Sequence, residues 1–105
     1  MKDNVEYQIF VGCSDSQLQD EVVPERELRE MVTQFFERNE IDFSMLSARG
    51  GYLHEDGRFT TEDTLIVDII GAADLDIIRL ARSLSMLMNQ ESSLIVRNPL
   101  KTEFC

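Results

Sequence analysis

Leu65-Ile66-Val67-Asp68-Ile69-Ile70, followed after a short gap by Asp74 and the apolar row Leu75, Ile78, Ala81, Leu84 and Met88, decides the fold. The first run is dominated by β-branched and aliphatic residues and reads as a strand. The apolar positions after it recur at helical spacing, with Ile77, Leu80 and Leu87 broadening the stripe. Asp74 stands where a helix takes its N-cap, and Asp76 falls in the first turn, where the helix dipole favours an anion. The stripe ends near Asn89. Ser93 to Arg97 then supplies a further strand, and Pro99, with no N–H to donate, is expected to end its ladder.

The N-terminal half carries the same order. Tyr7-Gln8-Ile9-Phe10-Val11 reads as a strand that stops at Gly12, and a polar loop runs from Cys13 to about Val22. Pro24 suits the first turn of a helix, and Leu28, Val32, Phe35 and Phe36 recur at helical spacing as far as Asn39. Glu25 precedes Arg29 by four residues, and Gln34 precedes Arg38, so the outer face of this helix is locally supported. Phe43 to Ala48 alternates as a strand and ends at Gly50-Gly51, a pair that predicts a bulge or a close backbone approach. Tyr52 to Thr61 reads as a polar excursion that turns at Asp56-Gly57, a dipeptide suited to the positive φ of a hairpin turn.

The order is therefore β-α-β-β-α-β. Right-handed crossovers in both halves, interleaved, give an α+β, ferredoxin-like sandwich: a four-stranded antiparallel sheet in the order 4-1-3-2 with both helices on one face. At 105 residues the chain fits one domain over 1–105, with residues 98–105 as a C-terminal tail. Alternation puts Leu65, Val67 and Ile69 on one side of the sheet and Ile66, Asp68 and Ile70 on the other. Ile66 and Ile70 are then expected on the helix-free face. Another subunit covers such a surface, or else the tail from Leu100 to Phe104 folds over it.

The formal charge of −10, from 20 acids against 10 bases, opposes binding to nucleic-acid backbones and to anionic membranes. It suits a soluble surface or one that docks on a basic protein. Cys13 and Cys105 form neither a disulfide framework nor a metal knuckle, so free thiols in a reducing cytoplasm are expected. No signal-like or membrane-spanning apolar segment is found.

Antiparallel pairing of strand 1 with strands 3 and 4 brings the ends of strands 1 and 2 to the starts of strands 3 and 4. That edge collects Gly12, Cys13, Ser14 and Asp15; Gly50, Gly51, Tyr52 and His54; Glu62 and Asp63; and Gln90, Glu91 and Ser92. A ligand site there would use Gly12, Ser14, Gly51, Tyr52, His54, Glu62 and Gln90: glycine backbones for close approach, Tyr52 to stack or cap, Glu62 and Gln90 to orient polar groups. The same residue types gather wherever strands turn, so turn chemistry is the competing explanation. His54 is the single histidine, which rules out a His-His metal pair within the chain. An oxygen-rich cation site with Glu55, Asp56, Glu62 and Asp63 departs from calcium-loop spacing. A Cys13–His54 nucleophile and base has nothing in the sequence to orient it. Glu62 and Glu91 could act as acid and base only in a pocket that shifts one of them. The chain contains no phosphate-binding loop, dinucleotide fingerprint or nucleophile elbow.

Gly51-Tyr52, Asp56-Gly57, Glu62-Asp63-Thr64-Leu65 and Gln90-Glu91-Ser92-Ser93-Leu94 together resemble a family of small uncharacterised bacterial proteins, a domain of unknown function. That family shows Gly-x-Trp or Gly-x-Tyr, a turn glycine, Glu-x-Ser or Glu-x-Thr, and a Gln-Glu-Ser-Val-Leu strand. The resemblance implies the fold and the shared edge, and no activity. The long hairpin between strands 2 and 3 is also similar in outline to trimeric signalling and divalent-cation-tolerance proteins of the nitrogen-regulator type. Of the basic residues that grip phosphate there, only Arg49 and Arg58 lie near this hairpin.

The functional expectation is a non-enzymatic, oligomeric binding module for a small ligand or peptide at the sheet edge, without a cofactor. The alternatives are an acidic phage or mobile-element protein that inhibits a basic host protein, and a weak metal-dependent hydrolase. The expected partners are other copies of the chain and a small ligand or basic protein.

Overall fold

The computed structural model describes residues 1–12, 24–53, 55–72, 74–88 and 93–105, with Tyr52 and Thr60 described through their backbones alone. The elements are β1 (Lys2–Gly12), α1 (Glu25–Arg38), β2 (Ser44–Leu53), β3 (Phe59–Ile70), α2 (Ile77–Leu87) and β4 (Leu94–Thr102). The strands form one antiparallel sheet in the order β2-β3-β1-β4, which is the expected order read from the other edge.

Both helices lie on one face because their apolar stripes and the odd-numbered residues of β1 and β3 form a single core. Val5, Tyr7, Ile9 and Val11 from β1 meet Leu65, Val67 and Ile69 from β3. Leu28, Val32 and Phe36 of α1 and Leu80, Ala81 and Leu84 of α2 close over them. The Phe36 ring is fully buried between Phe35, edge-on with centroids 5.4 Å apart, and Phe43, stacked at 5.1 Å. Phe36, Ile9, Leu28, Leu65 and Leu84 are each less than 2% exposed, and burial of such side chains supplies the main favourable term in folding.

Several boundaries differ from the sequence expectation, each for a physical reason. The cap of α2 is Asp76, whose carboxylate accepts from the Arg79 N–H at 3.2 Å. Asp74 lies further upstream, where the Leu75 N–H closes a turn onto the Ala72 carbonyl at 3.0 Å. Pro99 does not end β4. It pairs opposite Val5 in an edge strand, the one place where a residue without an N–H is tolerated within a sheet.

Residues 98–102, expected to begin a tail, therefore belong to the ladder, and Phe104 beyond them is fully exposed. The tail does not fold over the open face. The glycine pair makes no bulge either, since pairing of β2 with β3 runs without interruption from Ser44↔Asp68 to Leu53↔Phe59. Tyr52, Leu53, Phe59, Thr60 and Thr61, read as an excursion, extend the hairpin instead. Its turn is where Asp-Gly predicted it: Gly57 has φ +86°, and the Asp56 carboxylate accepts from the Arg58 N–H at 3.0 Å.

Candidate functional site

The register sorts the expected site residues onto two faces. Gly12 pairs with Thr64, Gly50 with Glu62 and Tyr52 with Thr60, and these positions all fall on the helix-free face. Gly51 pairs with Thr61 on the opposite face. A Cβ on Gly12 would stand 2.9 Å from Oε1 of Glu62, so the missing side chain is what lets the carboxylate lie over β1. Gly12 and Glu62 thus do come together.

Gly51 does not join them. A Cβ there would meet the Phe59 ring at 2.8 Å, so this glycine makes room for an aromatic side chain from the neighbouring strand. Its close approach is to Phe59 and is explained by packing. Tyr52 shares the Glu62 face through its backbone register. Ser14, His54 and Gln90 lie outside the described residues, as do Cys13, Asp15, Glu91 and Ser92.

The charges around the hairpin are largely matched among themselves. Arg49 pairs with Asp63 at 3.0 Å and donates to the Thr61 hydroxyl at 3.0 Å. Arg58 pairs with Asp56 at 3.3 Å. Both arginines within reach of a ligand near the hairpin are therefore engaged by carboxylates. Glu62 is itself engaged in a polar interaction. Further along β2 on the helix side, Ser47 bridges Glu25 and Arg29, and its hydroxyl, with the guanidinium, holds the Glu25 carboxyl below the usual carboxylate range. Among the described residues, no three His, Cys, Asp or Glu side chains gather closely enough to hold a metal ion.

The helix-free face carries a feature that strand-by-strand reading showed only in part. Leu46 pairs with Ile66, Ile66 with Phe10 and Phe10 with Leu94, so an apolar ridge crosses all four strands in one straight row. Leu46 is 54% exposed and Leu94 63%, although both stand in regular strands. Reading β3 alone identified Ile66 and Ile70. Register, which no single strand contains, aligns Ile66 with Phe10, Leu46 and Leu94, while Ile70 stands opposite Glu6, outside the ridge.

Beside the ridge lies the polar row Ser44, Asp68 and Gln8, which ends on β4 at the apolar Val96. Burial pushes the Asp68 carboxyl above its ordinary range, the neighbouring Glu6 carboxyl pushes it further, and a hydrogen bond with Gln8 partly opposes them. Asp68 Oδ1 is buried and has no hydrogen-bond partner among the described residues. At the end of the sheet away from the hairpin, a cleft of about 590 Å³ opens between Lys2, Ser44, Asp68, Ile70 and Phe104.

No protein-family model and no curated protein sequence matches the chain, so the resemblance to an uncharacterised bacterial family gains no support. Solved structures do match. A phage SAM lyase in complex with S-methyl-5'-thioadenosine is similar over 90% of this chain and 80% of that one, with a TM-score of 0.62 and 22% identity. The periplasmic divalent cation tolerance protein CutA from Archaeoglobus fulgidus covers 98% and 88%, with a TM-score of 0.63 and 9% identity. B. subtilis GlnK in complex with ATP covers 93% and 82%, with a TM-score of 0.55 and 8% identity. These likenesses establish the shared fold, including the outline similarity to cation-tolerance and nitrogen-regulator proteins.

Proposed function

We propose that the chain is a self-associating module that binds an adenosine-containing small molecule at the Gly12–Glu62 end of its helix-free face, and that this ligand is a sulfonium nucleoside of the S-adenosylmethionine type. The observation that carries the reading is the Glu62 carboxylate laid over the bare backbone of Gly12. That arrangement sets an anion beside the half-buried apolar Phe10 and Ile66. Flat heteroaromatic ligands favour such mixed surfaces.

Two fold neighbours hold adenosine compounds, methylthioadenosine in one and ATP in the other. Charge separates these two classes. A triphosphate needs cations, yet Arg49 and Arg58 are neutralised by Asp63 and Asp56, and the chain carries a formal charge of −10. A sulfonium brings its own positive charge and is attracted by the same field. Self-association rests on the apolar ridge, which is better covered by another copy than left in water.

A second reading, that the bound sulfonium is cleaved, is favoured by the lyase neighbour, which has the highest identity of the three structures. In such a cleavage the carboxylate of the sulfonium's own amino-acid chain forms a C–O bond to the carbon that loses sulfur, closing a lactone, while the electron pair of the broken C–S bond returns to sulfur and leaves a neutral thioether. An anion beside the sulfonium stabilises a charge that the transition state is losing, so Glu62 would tighten binding more than it speeds reaction. Reading the site as a non-enzymatic binder or as a lyase is decided by one experiment. S-adenosylmethionine is incubated with the purified protein, with calorimetric titration of methylthioadenosine in parallel. Saturable binding without product supports the binder, and binding with release of methylthioadenosine supports the lyase. Absence of both contradicts the ligand assignment. Inhibition of a basic host protein draws only on the net charge and the phage source of one neighbour, and a metal-dependent hydrolase has no described donor cluster behind it.

A further inference from the structure

Beside Asp68, β3 carries a second buried polar side chain with an unpartnered atom, Thr64. It is 4% exposed, and its Oγ1 is buried with no hydrogen-bond partner among the described residues. Nearly all buried polar groups find partners, so an orphan hydroxyl in a strand of Leu, Ile and Val calls for a specific cause. Valine has nearly the same shape and would avoid the cost of desolvating the hydroxyl.

Its surroundings supply that cause. Thr64 pairs with Gly12 on one side and Ala48 on the other, so the row Ala48–Thr64–Gly12 is built of small residues. One step along the sheet stands the ridge of Leu46, Ile66, Phe10 and Leu94, and one step the other way stands Glu62. This row of small residues therefore lies between the apolar ridge and a carboxylate, with the buried Thr64 hydroxyl at its centre. The Glu62 carboxylate lies above Gly12, the cross-strand partner of Thr64, so the acid and the hydroxyl belong to one neighbourhood of the sheet.

We infer that Thr64 is a specificity-determining contact of the ligand site, its hydroxyl hydrogen-bonding a polar edge atom of the nucleoside seated between Phe10 and Glu62. The hydroxyl can donate and accept, so it matches either a ring nitrogen or a sugar hydroxyl, and the ligand satisfies what the unliganded fold leaves unpaired. This inference rests on the nucleoside reading above.

The test compares wild type with Thr64→Val and Thr64→Ser, using thermal unfolding of each protein alone and calorimetric titration with 5'-methylthioadenosine. Thr64→Val is expected to raise the unliganded Tm and to weaken binding about tenfold, the equivalent of one hydrogen bond. Thr64→Ser, which keeps the hydroxyl, is expected to bind within about twofold of wild type. Equal affinity of Thr64→Val and wild type overturns the inference while leaving the ligand assignment standing. A lowered unliganded Tm in Thr64→Val also overturns it, because the hydroxyl would then be satisfied within the protein. Failure of wild type to bind methylthioadenosine overturns the ligand assignment and this inference with it.

Discussion

The two faces of the sheet are made by the same four strands from alternate residues, and they have opposite fates. Odd-numbered positions of β1 and β3 are sealed under two helices, with Ile9, Val11, Leu65 and Val67 at zero exposure. Even-numbered positions carry the ridge Leu46–Ile66–Phe10–Leu94, a partly buried carboxylate and the Gly12–Glu62 contact, and no described helix covers them. A polar group on the sealed face would cost stability at once. On the open face, acids, an orphan hydroxyl and exposed leucines persist together, and that combination is expected where a surface is kept for a partner rather than for folding.

The sharpest way to break this contrast is to damage each face in turn. Phe36→Ala removes a fully buried ring from the sealed face and is expected to cost about 3–5 kcal/mol of unfolding free energy, measured by urea denaturation. A cost under about 1 kcal/mol would mean that the core is looser than its packing indicates. Leu46→Asp combined with Leu94→Asp should leave the fold intact by circular dichroism, while self-association weakens by about tenfold or more in sedimentation. If the double variant associates like wild type, the ridge is not the interface.

A third prediction uses the polar row and concerns only the direction of a pH effect. Asp68 has a folded-state carboxyl raised by burial and by Glu6, so its stabilising contribution is present at low pH and is lost as pH rises through the raised value. Asp68→Asn is therefore expected to raise the Tm at pH 7, and the gain should shrink as pH falls toward the ordinary carboxylate range. A gain that stays constant with pH would remove titration as its cause. The opposite sign applies to Glu25, whose lowered carboxyl contributes stability at neutral pH that is lost on acidification.

How much of this was legible in the sequence depends on which interactions are local. The element order, strand order and buried face follow from periodicity, and Leu65, Val67 and Ile69 lie where alternation put them. Strand ends were less legible, because pairing with distant residues decides them. Lys2-Asp3-Asn4 carries no apolar alternation, yet it is held in β1 by Asn4 donating to Thr102 at 2.7 Å and by Lys101 pairing with Asp3 at 2.6 Å. Of the seven expected site residues, Gly12 and Glu62 meet, Tyr52 shares their face by register, and Gly51 is taken by Phe59. That separation turns on a one-residue parity that adjacent glycines cannot reveal. Thr64 was invisible as a candidate because threonine is an ordinary strand residue until its hydroxyl is found buried and unpartnered.

Native mass spectrometry of the protein mixed with 5'-methylthioadenosine tests most directly that the open face both assembles and binds. The expected result is an oligomer that retains the nucleoside. A monomer at micromolar concentration that carries no nucleoside would contradict both assignments of that face.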